Sequence, residues 1–98
     1  MTLDELRRRI EPERDALRAQ GVGALYVFGS VARGEAGPDS DVDLFIDPAP
    51  DPRFSVLNLV AVQDRLSDRL GLPADVHTRN GLHYWIRDRI LAEAVRLF

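Results

Sequence analysis

The sequence predicts an α/β fold, a small mixed central sheet flanked by helices. Two compact apolar runs, residues 25–28 and 42–47, are too short for helices and are bounded by Gly, Ser and Pro, so they read as buried strands. Longer segments around them repeat apolar residues at helical spacing: Leu3, Leu6 and Ile10 near the start, and Val56, Leu59, Val60, Leu66 and Leu70 later. The length of 98 residues, 45% of them hydrophobic and 30% charged, suits one folded domain covering residues 1–98, near the lower end of single-core size.

Each element has its own signal. Thr2 followed by Glu5 has the capping-box pattern and opens the first helix. Pro12 breaks it, and Leu17 belongs to a second short helix ending near Gly21. The strand at 25–28 runs into a Gly29-Ser30 turn, Val31 and Ala32 begin a short helix, and residues 34–40 are loop. The strand at 42–47 leads into Pro-Ala-Pro-Asp-Pro at 48–52, a stiff connection expected to join neither strand nor helix. Residues 53–70 form a helix stopped by Gly71 and Pro73. A third strand covers 74–78 and a last helix 82–93. Val95 and Leu97 alternate, as in a short final strand or a fraying helix end. Periodicity does not set the strand order.

Composition excludes several classes of function. Cysteine is absent, which removes disulfides, thiolate catalysis and Cys-ligated zinc. All thirteen basic residues are Arg, so neither a P-loop lysine nor a Schiff-base lysine exists. Phosphates must be met by Arg, backbone amides, hydroxyls or metal. A net charge of −3 disfavours general binding of DNA or RNA, whose affinity comes largely from neutralising phosphates. No apolar run approaches the roughly 18 residues of a membrane span, and the charged N-terminal segment does not read as a signal peptide. A cytoplasmic location is expected.

The most informative stretch runs from Gly29 to Asp43: Gly-Ser, ten residues, then Asp41-Val42-Asp43. Carboxylates at i and i+2 of a strand point to one face, where they repel each other unless a cation such as Mg²⁺ stabilises them. A Gly-Ser turn lets the backbone approach an anion and offers a hydroxyl and amides to phosphate oxygens. These are the parts of a metal–nucleoside triphosphate site. The bland alternative is a strand-ending Gly29, a helix-capping Ser30 and turn-flanking aspartates.

The same spacing resembles the signature of the polymerase-beta-like nucleotidyltransferase superfamily, and LYVFGSVARGEAGPDSDVDLFID is most similar to its minimal nucleotidyltransferase branch. The resemblance is strong from about Gly21 to Asp47 and looser elsewhere. It implies the nucleotidyltransferase fold and two Mg²⁺ ions held by Asp41, Asp43 and a third carboxylate. Asp75, in the strand-like run ADVHT, stands where the family places that third acid and could draw the proton from an attacking hydroxyl. Gly29 and Ser30 would meet the phosphates of ATP, with loss of pyrophosphate as a nucleoside monophosphate is transferred.

Other residues carry two readings. Arg33, at helical spacing from Ser30, either meets the phosphates through its guanidinium fork or pairs with Glu35 or Asp39. His77 shares strand parity with Asp75, as a site residue or as a hydrogen-bonded structural one. Asp47 reads as a chain-exit residue, and Asp64 and Asp68 as solvated helix surface. His83, Tyr84 and Trp85 open the last helix and either stack on a base, form a partner surface, or pack on the core as aromatics there commonly do.

A chain this short has no room for the helical domains that present an acceptor in larger nucleotidyltransferases. The resemblance implies that an all-helical HEPN-type toxin encoded nearby supplies it. The chain would then be a protein adenylyltransferase antitoxin, moving AMP from ATP to a tyrosine hydroxyl of the toxin. The segment from His83 to Arg89, rich in aromatics and Arg, is the expected contact surface, and association between copies of the chain is a further possibility. The alternatives are a non-catalytic nucleotide-binding antitoxin that acts by contact and an enzyme modifying a small molecule of the aminoglycoside kind.

Overall fold

A computed structural model describes residues 1–50 and 54–98. Nine regular elements are used below: α1 (Leu3–Ile10), α2 (Arg14–Ala19), β1 (Val22–Phe28), α3 (Gly29–Arg33), β2 (Val42–Pro48), α4 (Val56–Leu70), β3 (Ala74–Thr78), α5 (Tyr84–Glu93) and β4 (Val95–Arg96). The strands form one sheet in the order β3-β2-β1-β4. β1 is antiparallel to β2 and β4, whereas β2 and β3 run parallel with α4 as the crossover. The sheet is therefore mixed, and Val95 belongs to a strand rather than to the end of the last helix.

Strand alternation divides the sheet into two unequal faces. Val42, Leu44 and Ile46 of β2, Leu25 and Val27 of β1, and Ala74 and Val76 of β3 join one core with Leu6, Ile10, Leu17, Val62, Leu66 and Leu70 of the helices. The opposite face carries Tyr26, Phe28 and Phe45 and is covered more thinly by Leu82 and by Ile90 and Leu91 of α5. A register shift between Val22 and Ala24 lets both Val22 and Leu25 face the larger core despite their odd separation. Asp43, Asp75 and His77 have the parity of the thinner face, so the layer that α5 only partly covers is where charge accumulates.

The helix signals hold locally. Thr2 Oγ1 accepts a hydrogen bond from the Glu5 amide at 3.2 Å and caps α1. Around Pro12 the chain makes a 3-10 turn, Glu11–Glu13, before α2. Glu13 is buried, and its Oε1 lies 3.1 Å from Nε of both Arg65 and Arg69, tying this turn to α4. Among the described residues no helix is long and apolar enough to cross a membrane.

Two expectations are corrected. Pro48 does join a strand: it is the last residue of β2, opposite Val22, where a missing amide donor is tolerated. Asp51 and Pro52, the end of the predicted connection, and Arg53, the start of the predicted helix, lie outside the described residues. The buried stripe of α4 runs through Val62, Leu66 and Leu70 with Leu59 beside it, while Val56 and Val60 are 74% and 47% exposed. The spacing of Val56 and Val60 is helical, but the stripe that meets the sheet lies on another side of the helix, through Val62.

Asp47 is more than a chain exit. Its oxygens accept from Arg79 Nε at 2.7 Å and Arg79 Nη2 at 2.9 Å, and the Arg79 guanidinium lies over the Tyr26 and Phe45 rings at 5.0 and 5.2 Å. The Arg79 hydrogen bonds hold the Asp47 carboxyl below its ordinary range. Its folded pKa is depressed, so the pair's stability is present above the ordinary value of 3.8 and lost as pH falls through the folded value. About a third of each side chain is exposed, which limits the pair to about 1 kcal/mol. Thermal melts of the wild type and Asp47→Asn should therefore differ at neutral pH and converge under acid; a gap that widens under acid would refute this.

Candidate active site

The Gly-Ser turn is shaped by the carboxylate beneath it. Gly29 begins α3 with φ +71, a backbone region that L side chains rarely adopt. A Cβ there would stand 2.5 Å from Asp43 Oδ2, so a side chain at this position would also displace the carboxylate. Gly34, with φ +74, terminates α3 and releases the chain into the loop that returns to β2. Hairpin pairing sets Phe28 opposite Asp43, and parallel pairing sets Asp75 opposite Asp43 on the other side. Phe28, Asp43 and Asp75 thus form one row across three strands.

Burial raises the Asp43 pKa above its ordinary value, and the charges of Asp75 and Asp41 raise it further, against weaker opposition from His77 and Arg33. Negative charge is therefore undercompensated at Asp43. Asp41 lies just before β2 and is exposed. Asp75 is also largely exposed, and its Oδ2 lies 3.1 Å from His77 Nε2, which gives His77 a hydrogen-bonding role. No three Asp, Glu or His side chains among the described residues are drawn closely enough to cage an ion as they stand. The donor chemistry nevertheless fits a hard divalent cation: carboxylate oxygens only, in excess of nearby positive charge.

Two cavities meet at Asp43. One, of about 330 Å³, is lined by Gly29, Ser30, Arg33, Arg89 and Glu93 and is the side suited to phosphates. The other, of about 360 Å³, brings Asp75 and His77 against an apolar wall of Phe28, Leu82, Ile86 and Ile90. Arg33 does pair with Glu35, Nε to Oε2 at 3.1 Å, but also with Glu93, Nη1 to Oε2 at 3.0 Å. The Gly29 amide donates to Glu93 Oε1 at 3.1 Å. Burial works against the charge of Glu93; the Arg33 and Gly29 hydrogen bonds outweigh it and hold the carboxyl below its ordinary range.

Glu93, which sequence reasoning did not single out, lines the cavity beside Gly29, and Arg89, read from the sequence as part of a contact surface, lines it as well. No local motif marks them, because Glu93 reaches Gly29 only when α5 folds across the sheet. The core-packing alternative for the aromatic trio is also corrected. Tyr84 and Trp85 are 75% and 68% exposed, and His83 stacks on Trp85 at 4.2 Å between ring centres rather than on the core. α5 buries Ile90, whereas Tyr84, Trp85 and Ile86 of its first turn are exposed.

The model of the nucleotidyltransferase domain family matches residues 8–97. A protein provisionally named a protein adenylyltransferase, from Methanocaldococcus jannaschii, is 38% identical over 97% of this chain and 97% of its own length. The protein adenylyltransferase MntA of Thermococcus cleftensis is 35% identical over 97% of this chain and 95% of its own. A solved structure provisionally described as a minimal nucleotidyltransferase superimposes with a TM-score of 0.81 at 35% identity, covering 97% of this chain and 95% of that one. The MNT antitoxin structure from a complex with a tri-AMPylated Shewanella oneidensis HEPN toxin gives a TM-score of 0.65 at 15% identity over 94% of this chain and 71% of that one, a likeness of fold alone. The chain belongs to the nucleotidyltransferase family, in its minimal branch.

Proposed function

We propose that this nucleotidyltransferase is a protein adenylyltransferase antitoxin, acting in the cytoplasm on a HEPN-type toxin encoded nearby. The observation that carries the reading is the row Phe28–Asp43–Asp75 beside the Gly29-Ser30 turn, with one cavity on the phosphate side and one on the acceptor side. Full-length similarity to proteins named protein adenylyltransferases supports the choice of AMP and of a protein acceptor.

In this mechanism Gly29, Ser30 and Arg33 bind and orient the triphosphate of ATP. Asp41, Asp43 and Asp75 would hold the Mg²⁺ ions, which supply charge neutralisation for the phosphates and for the entering and leaving oxygens. Asp75, steadied by His77, accepts the proton of the acceptor hydroxyl, whose oxygen attacks the α-phosphorus as the bond to pyrophosphate breaks. The apolar wall of Phe28, Leu82 and Ile86 suits the ring of a tyrosine acceptor. Ile86 lines that cavity, and with the exposed Tyr84 and Trp85 that precede it in the chain it forms the contact surface for the helical partner. With a net charge of −3, an RNA acceptor is disfavoured.

The test is to incubate the protein with ATP, Mg²⁺ and the co-expressed partner, then measure the partner's mass. An added AMP that disappears with Asp43→Asn is expected. A partner neutralised without any mass change would replace this reading with that of a contact antitoxin.

A further inference from the structure

Two of the donors that the proposed mechanism assigns to phosphate, the Gly29 amide and the Arg33 guanidinium, are already engaged. Glu93 takes the Gly29 amide at 3.1 Å through Oε1 and contacts Arg33 Nη1 through both oxygens, at 3.2 and 3.0 Å. A carboxylate held by one backbone amide and one guanidinium offers the charge and planar oxygens with which a phosphate would address the same groups.

Its position in the chain sharpens the point. Glu93 is the last residue of α5, and Ala94 already has extended torsions. The C-terminal end of a helix disfavours negative charge, so the helix itself does not stabilise a carboxylate there. What compensates it is the contact with Gly29 and Arg33. The side chain is 22% exposed and lines the phosphate-side cavity, so solvent and ligand reach it from that cavity. Arg89, one turn earlier on α5, lines the same cavity and attracts the Glu93 charge. It gives the carboxylate a second partner if the first is taken.

The geometry points to Glu93 as an internal stand-in for phosphate, which occupies the Gly29 and Arg33 donors in the free protein and is displaced when a nucleoside triphosphate binds. The inference rests on the reading that these donors meet the triphosphate. It makes Glu93 a positioning residue that sets nucleotide affinity: the free site stays ordered and closed to weaker anions, and part of the triphosphate's binding free energy is used to move Glu93 aside.

Calorimetric titration of the full chain with ATP and, separately, with adenosine tests this. Glu93→Gln keeps the shape but removes the charge that competes with phosphate, and Glu93→Ala removes the stand-in altogether. ATP is expected to bind both variants about tenfold more tightly than the wild type, with adenosine affinity unchanged. ATP affinity that is unchanged or lower in folded Glu93→Gln, checked by its melt, would overturn the inference. Equal tightening for ATP and adenosine would also overturn it, since that is what loosening α5 would do. If wild type and variants alike fail to bind ATP, the assignment of the Gly-Ser turn to triphosphate falls as well; ATP binding without the tightening removes only the role of Glu93.

Discussion

Asp43→Asn is expected to abolish nucleotidyl transfer, on the order of a thousandfold or more, while raising the melting temperature of the ligand-free protein. The two effects have one cause. Asp43 is partly buried, stands in register with Asp75 and feels Asp41 as well, so its charged form is disfavoured by burial first and by like charge second. A carboxyl with a raised folded pKa binds its proton more tightly in the native state than in the unfolded one. Stability therefore falls as pH rises from the ordinary value of 3.8 to the folded value, and the loss is complete above it. The asparagine variant escapes that loss. Its advantage in a chelator-containing melt should vanish in acid and grow toward neutrality. A variant that melts below the wild type at neutral pH, or still transfers AMP at a comparable rate, would contradict the assignment.

Gly29→Ala is expected to cost both fold and activity. The left-handed torsion at φ +71 alone costs an L residue about 1–2 kcal/mol. The added Cβ also meets Asp43 Oδ2 at 2.5 Å and Cγ at 3.3 Å, so the carboxylate must move or the turn must open. Either shift displaces a reacting group by a good fraction of an ångström, enough for a loss of about a hundredfold in transfer rate. Because the alanine acts on Asp43, its effect on activity should be far from additive with Asp43→Asn. Melting curves and single-turnover assays of the two single variants and the double variant check this. Near-wild-type stability together with activity would show that the Gly29–Asp43 packing is dispensable.

Much of this molecule was legible without coordinates, and the particular residues show why. The Thr2 cap, the stops at Gly21 and Gly71, and the short strands at β1, β2 and β3 are local events, settled by torsional preference and by hydrogen bonds within a few residues. The Gly-Ser to Asp-x-Asp spacing was equally legible, because one hairpin carries both halves. β1 pairs with β2, and the α3 turn between them returns Gly29 onto Asp43.

What failed to show in the sequence lies across long separations. Pro48 reads as a breaker by its own chemistry, yet the end of a strand does not need its amide. Val56 and Val60 have helical spacing, but which stripe of α4 meets the sheet is decided by the crossover from β2 to β3. Asp47 finds Arg79, and Glu93 finds Gly29 and Arg33, only after those elements dock. The sequence by itself determined the elements, the hairpin and the two carboxylates that define the chemistry, because backbone preference and strand parity act over a few residues. The tertiary structure decided which charges stand opposite one another and which donor each carboxylate holds. Those contacts depend on the order of strands and the placement of α5, and no local pattern encodes a partner sixty residues away.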